Sequence, residues 1–475
     1  MQTIEKVIKN GYCVGCGVCS FASKYKIKME FSKYGYHCAD IKDASENDLS
    51  DVDNICPFSD SSIDETKLAD SFFKNICDNK NKKIGYYDRL YAGRVLNSKI
   101  INLTSSGGLV SWLTMKLLSL KDIDGVIHVG PDDKEKTGKL FKYTISNSIE
   151  EILNKGKSKY YSVDLSEILN IVVGLEGKYA FIGVPCFVKA IRLLCENDKN
   201  ANEKIKYCIG LVCGHLKSAG FGELLAWQMG INPESLISLD FRVKVPMMQS
   251  SSYGVAASSR EGIRKTEIAS NLYGSNWGYA QFQLKACDYC DDIFAETADI
   301  SFGDAWLNKY IHIWQGTNIV ISRNEYLSRI LNEGCKSKEI VLEESTEEDI
   351  SRSQEGNFRH RWQGLSYRLS KAKRNKVWVP KKRIIADSYS SSYFRKKIFK
   401  LRSLSAETSH RLFLKAKEKK NLSDYITKMK RITNKIDRIY KYIYILDEIV
   451  INRNLTVLFK KFFKHFRHLL IGNKE

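Results

Sequence analysis

Between residues 83 and 344, short apolar runs alternate with longer segments of helical period. "GVIHVGP" (125–131), "YAFIGVP" (179–185) and "KYCIGLVC" (206–213) are apolar or β-branched and stop at Gly, Pro or Cys, which predicts buried strands. "GGLVSWLTMKLLSL", before the first of them, and "FVKAIRLLCEN", between the last two, place apolar residues three and four apart, which predicts helices. This alternation predicts an α/β domain over 83–344 with its chemistry at the strand ends. Residues 1–81 read differently, as a turn-rich unit with six cysteines in which "KIKMEFSKYGYHCAD" suits a strand pair. "CDNKNKKIGYYDR" reads as a charged linker, and 345–475 as a helical tail.

Charge changes this picture only at the carboxyl end. Residues 358–475 hold 32 Lys and Arg against 8 Asp and Glu, whereas 1–357 hold 43 against 47, so the whole excess behind the net +20 lies in the tail. The body therefore does not read as a nucleic-acid binder, and the tail lacks a nucleic-acid module, so no nucleic acid is expected as a partner. In "NLTVLFKKFFKHFRHLLIG", Leu455, Leu458, Phe459, Phe462, Phe463, Phe466, Leu469 and Leu470 recur at helical spacing. Lys460, Lys461, Lys464, Arg467, His465 and His468 fill the other side. Such a helix suits either an anionic membrane surface or an acidic protein partner. Thirteen cysteines in 475 residues are too sparse for a disulfide scaffold. With no apolar signal segment in "MQTIEKVIKNGYC" and no run of spanning length, the expected location is the reducing cytoplasm, with peripheral membrane contact through the tail as an option.

In a reducing compartment, close cysteines point to metal or catalysis. Cys13, Cys16 and Cys19 have the C-x2-C-x2-C spacing of a bacterial ferredoxin, but Ser23 and Lys24 stand where the motif continues to Cys-Pro. The one such dipeptide nearby is Cys56-Pro57. In two-cluster ferredoxins the fourth cysteine of each copy serves the other copy's cluster. A second cluster would need residues 46, 49, 52 and 23, which are Glu46, Leu49, Val52 and Ser23. The first would need Cys13, Cys16, Cys19 and Cys56, and all are present. This clean division predicts a small ferredoxin-like domain holding one [4Fe–4S] cluster. Zinc on the same four thiolates is the alternative.

The middle domain adds Cys186 and Cys213 at two strand ends and the pair Cys287-x2-Cys290. Alone, these are a moderate metal signal and two ordinary small buried residues. "NLTSSGGLVSWL" offers the hydroxyls of Thr104, Ser105 and Ser106, close backbone approach at Gly107 and Gly108, and a helix N-terminus. That combination suits a pyrophosphate or serves as a plain cap. "GKSKYYSVD" brings Ser158, Lys159 and Tyr160, and "ADISFGDAW" brings Asp299, Gly303 and Asp304. The remaining cysteines, Cys38, Cys77, Cys195, Cys208 and Cys335, read as structural thiols.

"TSSGGLVSWL", "SKYYSV", "GVPCFVKAIR", "GLVCGH" and "CDYC…AETADISFGDAW" occur in an order that resembles one family. It is the beta subunit family of coenzyme F420 hydrogenases and dehydrogenases, including bacterial members with an N-terminal ferredoxin domain, and the resemblance covers about residues 1–325. Members are iron–sulfur flavoproteins. The resemblance implies a second [4Fe–4S] cluster on Cys186, Cys213, Cys287 and Cys290, beside an FAD held by Ser105, Ser106, Gly107, Gly108, Ser158, Lys159, Tyr160, Asp299, Gly303 and Asp304. The expected function is that of an oxidoreductase relaying electrons between a partner such as ferredoxin, the two clusters, FAD and a small molecule. Because relatives occur with bacterial glycan-synthesis genes, a glycan precursor in polysaccharide biosynthesis stands beside coenzyme F420 as the substrate. A non-catalytic electron-transfer subunit and a zinc-stapled scaffold are the other readings.

Overall fold

The computed structural model describes residues 2–452. The strand pair expected near the amino terminus is antiparallel, β1 (Lys28–Phe31) against β2 (His37–Asp40). The stretch read as a linker is a second hairpin, β3 (Asn79–Asn81) and β4 (Gly85–Tyr87). Two apolar residues inside its charged sequence explain the difference: Ile84 and Tyr86 are buried. The Tyr86 hydroxyl also donates to Asp70 at 2.7 Å.

The middle region builds an eight-stranded mixed sheet. Its members are β5 (Arg89–Val95), β6 (Gly125–Pro131), β7 (Phe141–Ser146), β8 (Tyr179–Gly183) and β9 (Ile205–Leu211). An antiparallel sheet of β10 (Leu236–Val243), β11 (Gly254–Ser259) and β12 (Arg264–Ile268) intervenes. The large sheet then continues with β13 (Ile300–Asp304), β14 (Asn318–Ser322) and β15 (Ile340–Glu344), in the order β15-β5-β14-β13-β9-β8-β6-β7. β6, β8, β9 and β13 are parallel and form its centre, while the outer pairings are antiparallel. The three runs read as strands are thus neighbours, and their carboxyl ends lie along one edge. Helix Leu109–Ser119 starts from Gly108, whose φ of 76° is one that a side chain would strain. Helix Pro185–Asn197 starts with proline at its first position, where no N–H is needed.

Residues 345–446 do not trail away from this body. Helix Gly364–Arg374 and helix Tyr393–Glu418 lie on it, with Phe358, Trp362, Leu365, Ile384, Phe399 and Phe413 buried. Tyr425 and Met429, from the long helix Leu422–Asn452, are buried too. One hydrophobic cluster runs from Ile4 and Val14 through Phe187 and Phe221 to Phe413 and Met429, joining all three sequence segments. No helix among the described residues is long and apolar enough to cross a membrane. The amphipathic stretch at 454–472 lies outside the described residues.

Candidate functional site: two thiol nests and a cation-lined cavity

Cys13, Cys16 and Cys19 wind around the turn before and into the short helix Val18–Ala22, and Cys56 reaches them from the loop after helix Glu46–Val52. The four line one narrow cavity with Ile4, Val7 and Phe58. Gly15 permits the winding: its φ is 71°, and a Cβ there would meet the His37 carbonyl oxygen at 2.4 Å. Burial pushes the Cys56 thiol up to about 12 and Cys19 well above its ordinary value, with the neighbouring thiols adding to the effect at each. A hydrogen bond from Cys38 instead holds Cys13 down at about 7. Cys38, read from sequence as a spare buried thiol, is half-buried on β2 beside the first ligand candidate.

The second nest forms where β8 and β9 end. Cys186 sits in the first turn of helix Pro185–Asn197, Cys213 follows β9, and Cys287 and Cys290 flank the end of the tight turn Lys285–Tyr289. All four line one small cavity with Val14, Phe58, His215 and Arg361. Burial first, then the thiols of Cys290, Cys213, Cys287 and Cys16, pushes the Cys186 thiol well up. Cys16, from the first nest, is therefore an electrostatic neighbour of the second. Hydrogen bonds fix the nest: Leu216 N–H donates to Cys287 Sγ at 3.2 Å, Cys213 N–H to the Ile293 carbonyl at 3.1 Å, and Arg361 Nη2 to Cys290 Sγ at 2.5 Å. Among the described residues, no group of three or more His, Cys, Asp or Glu side chains closes around a single metal ion.

A cavity of about 270 Å³ adjoins the second nest along the sheet edge, with Cys213, His215 and Leu216 in both walls. Its lining includes His128, Gly183 and Gly303 from the parallel strands and Val184 just after β8, as expected of the crevice beyond the carboxyl ends of such strands. Ser105, Ser106, Gly108, Ser158, Lys159, Tyr160, Gly303 and Asp304 line it. Two of the motifs are stitched together, since Ser158 N–H donates to Ser105 Oγ at 2.9 Å. Asp304 accepts from Arg242 Nη1 at 3.1 Å, and the same nitrogen donates to the Tyr160 hydroxyl at 3.1 Å.

Two of the residues singled out from sequence stand back from the wall. Gly107 is packed where a Cβ would meet Asn318 Oδ1 and the Gly93 carbonyl at 2.8 Å. Asp299 is buried in an ion pair with Arg192 at 2.8 Å and accepts from Cys208 N–H at 2.7 Å.

Other residues in the wall go beyond the sequence reading. Lys155 and Lys159 donate only to neutral oxygens of Ile145, Ser146 and Lys155, and Lys217 to the Gln281 carbonyl. Burial lowers the Lys159 ammonium to about 7. His215 is buried, its ring 4.5 Å from that of Trp277, and its Nε2 has no hydrogen-bond partner among the described residues. His215 and Lys217 do lie in "GLVCGHLK", next to a cysteine already singled out. Trp277 and Arg361 sit in stretches with no motif to mark them.

Comparison with known proteins bears on what this arrangement is. Residues 90–170 match the N-terminal sequence profile of the coenzyme F420 hydrogenase/dehydrogenase beta subunit, and 176–348 match its C-terminal profile. The beta chain of the coenzyme F420 hydrogenase of Methanococcus voltae is 25% identical over 276 residues, covering 56% of this chain and 87% of that one. One of the subunits of the F(420)H(2) dehydrogenase of Methanosarcina mazei is 22% identical over 315 residues, 65% of this chain and 81% of its own. The coenzyme F420-dependent sulfite reductase of Methanocaldococcus jannaschii is 24% identical over 326 residues, which are 63% of this chain but only 43% of that enzyme. A chain of the F420-reducing [NiFe] hydrogenase complex from Methanosarcina barkeri superposes with a TM-score of 0.46 at 17% identity, over 62% of this chain and 96% of its own. Matched across both halves of its central region, this chain belongs to the coenzyme F420 hydrogenase/dehydrogenase beta subunit family.

Proposed function

We propose that the chain is an iron–sulfur flavoprotein that relays electrons between a ferredoxin-like partner and a small-molecule substrate. Cys13, Cys16, Cys19 and Cys56 would hold one [4Fe–4S] cluster, and Cys186, Cys213, Cys287 and Cys290 the other. The donor sets fit: each gathers four thiols, and burial makes Cys19, Cys56, Cys186 and Cys287 costly to ionise unless a metal centre supplies positive charge. Zinc on the same four thiolates is the competing occupant, and metal analysis separates it from a cluster. FAD would occupy the large cavity, where Lys155, Lys159 and Lys217, which form no ion pair among the described residues, and His215 Nε2, which has no hydrogen-bond partner among them, fit a ligand with negative charge and polar ring atoms. Bound there, the flavin supplies the exchange between electron pairs and single electrons.

The chain's own residues supply position. Ser105, Ser158 and the first turn of helix Leu109–Ser119 present hydroxyl and N–H groups, Lys155 and Lys159 offset charge, and Arg242 holds Asp304 and Tyr160 in place. The observation that carries the reading is the sharing of walls. Val14 lines both thiol nests and the large cavity, and His215 lines the second nest and the cavity. Three redox sites in this order form one short path. The substrate would be a small molecule, whether coenzyme F420, as the relatives' names suggest, or a glycan precursor.

Anaerobic purification with iron, sulfide and flavin assays tests this reading. About eight iron atoms per chain are expected, with one FAD. Fewer than about four, or no flavin after reconstitution, overturns it. Turnover of a small molecule by the isolated chain separates an enzyme from an electron-transfer subunit.

A further inference from the structure

The family-matched region ends at residue 348, yet the second thiol nest has a wall from beyond it. Arg361 lies at the centre of a π-helical turn, Arg359–Gln363, between helix Glu355–Phe358 and helix Gly364–Arg374. Such wide turns are rare and occur often at functional sites. The guanidinium is 5% exposed and spreads over the nest. Nε donates to the Cys290 carbonyl at 3.2 Å, Nη2 to Cys290 Sγ and to the Asp292 carbonyl at 2.5 Å, and Nη1 to the carbonyls of Cys213 and Gly214. Two of the four nest cysteines are thus held by one side chain. No ion pair joins Arg361 to a carboxylate among the described residues. A buried cation without a counter-charge is strongly destabilising. The groups that can supply that charge are first the thiols of Cys290, Cys213 and Cys287, and then Asp292.

Its neighbours make the contact deliberate in the fold. Trp362 Nε1 donates to the Asp291 carbonyl at 2.8 Å, and Arg368 Nε to the Asp288 carbonyl at 2.8 Å. Arg383 pairs with Asp291 at 3.4 Å, and Ser403 bonds Asp288. The carboxyl-terminal segment therefore grips the "CDYCDD" turn from several sides and drives Arg361 into its middle.

We propose that Arg361 is a positioning and tuning residue of the core cluster, supplied by the carboxyl-terminal segment: it fixes Cys290 and Cys213 and raises the cluster's reduction potential. This rests on a cluster bound at Cys186, Cys213, Cys287 and Cys290. Reduction adds negative charge to the site, so a fixed cation donating to a ligand sulfur favours the reduced state. The amino-terminal nest receives no such cation among the described residues, which biases electrons toward the core cluster.

The test is a redox titration of the full chain followed by electron paramagnetic resonance, comparing wild type, Arg361→Lys and Arg361→Met. The core signal is identified as the one abolished by Cys290→Ser. Arg361→Met is expected to lower the equilibrium constant for core reduction about tenfold, which is about 59 mV for one electron. Arg361→Lys should fall between, with the amino-terminal signal unmoved in both. Core iron lost in Arg361→Met but kept in Arg361→Lys also supports the proposal. Equal core potentials in all three chains overturn it, as does an equal shift of both signals, or loss of core iron in both variants. If Cys290→Ser removes no iron from the otherwise native chain, the cluster assignment itself fails, which wild type and that variant reveal before any Arg361 chain is measured.

Discussion

Ser23 stands where a two-cluster ferredoxin motif has its fourth cysteine, and its hydroxyl is already occupied. It donates to the Ser20 carbonyl at 3.2 Å and accepts from Ile27 N–H at 3.1 Å, closing the short helix. The fourth thiol comes from Cys56 instead. Cys56→Ser should therefore remove about four iron atoms per chain, while Ser23→Cys should restore none of them in that background. Iron analysis of the single and double variants checks both. Lys159 carries a second residue-scale prediction. Burial puts its ammonium at about 7 in the free chain, and a bound anion raises that value. Between the free and bound values, binding takes up a proton, so affinity is highest below pH 7 and falls as pH rises, by up to about tenfold per unit. FAD titrations of the flavin-free chain should show that fall. Lys159→Gln should bind more weakly below pH 7 and lose the dependence on pH that Lys159 supplies. Wild-type affinity that is flat through pH 7 to 8 would remove Lys159 from the site.

Among the elements, the segment after β15 departs most from its sequence reading. The strands at 125–131, 179–183 and 205–211 were legible because a buried strand must be apolar along its whole length. The helices Leu109–Ser119 and Pro185–Asn197 were legible because one face must be apolar. The gathering of Cys13, Cys16, Cys19 and Cys56 could be read from spacing, since three of the four come from one turn. The tail could not. Its composition is basic, and a count of charges treats each as solvated, whereas Arg361 and Arg402 are buried and Arg383 is mostly so. What fixes them is a set of partners far away in sequence, which no local pattern encodes. Arg383 spans Glu296 at 2.7 Å, Asp291 at 3.4 Å and Glu65 at 3.6 Å, so it ties the carboxyl-terminal segment to the turn and to the helix Glu65–Phe73. Removing it leaves three carboxylates together, of which Glu65 alone retains a cation among those ion pairs, Lys189 at 3.3 Å. Arg383→Met should therefore cost about 3–5 kcal/mol, read from urea denaturation. A loss below about 1 kcal/mol, the range of an exposed pair, would mean the network is solvated.

For the whole molecule, one hydrophobic cluster shared by three sequence segments makes the order of the two thiol nests and the cavity a property of the entire fold. Val14 touches both nests and the cavity because residues 1–81 lie against the sheet edge and not beside it as a tethered module. That placement is reinforced on the far side. Helix Tyr393–Glu418 packs His410 against Tyr34 and Tyr36 of the amino-terminal hairpin loop, at ring distances of 6.3 and 5.6 Å. The same helix presents Phe413 to Phe282 of the middle region at 5.2 Å. A chain ending at residue 344 would thus uncover Phe282 and Phe294, lose Arg361 and Arg383, and leave the "CDYCDD" turn without its clamp. It should retain little core iron and aggregate on reconstitution. A chain ending at residue 452 keeps every contact described, and its iron and flavin content should equal that of the full chain. If the chain ending at 344 instead carries both clusters and a native-like melting transition, the carboxyl-terminal segment is a passenger on the relay, and the order of sites is held by residues 1–344 alone.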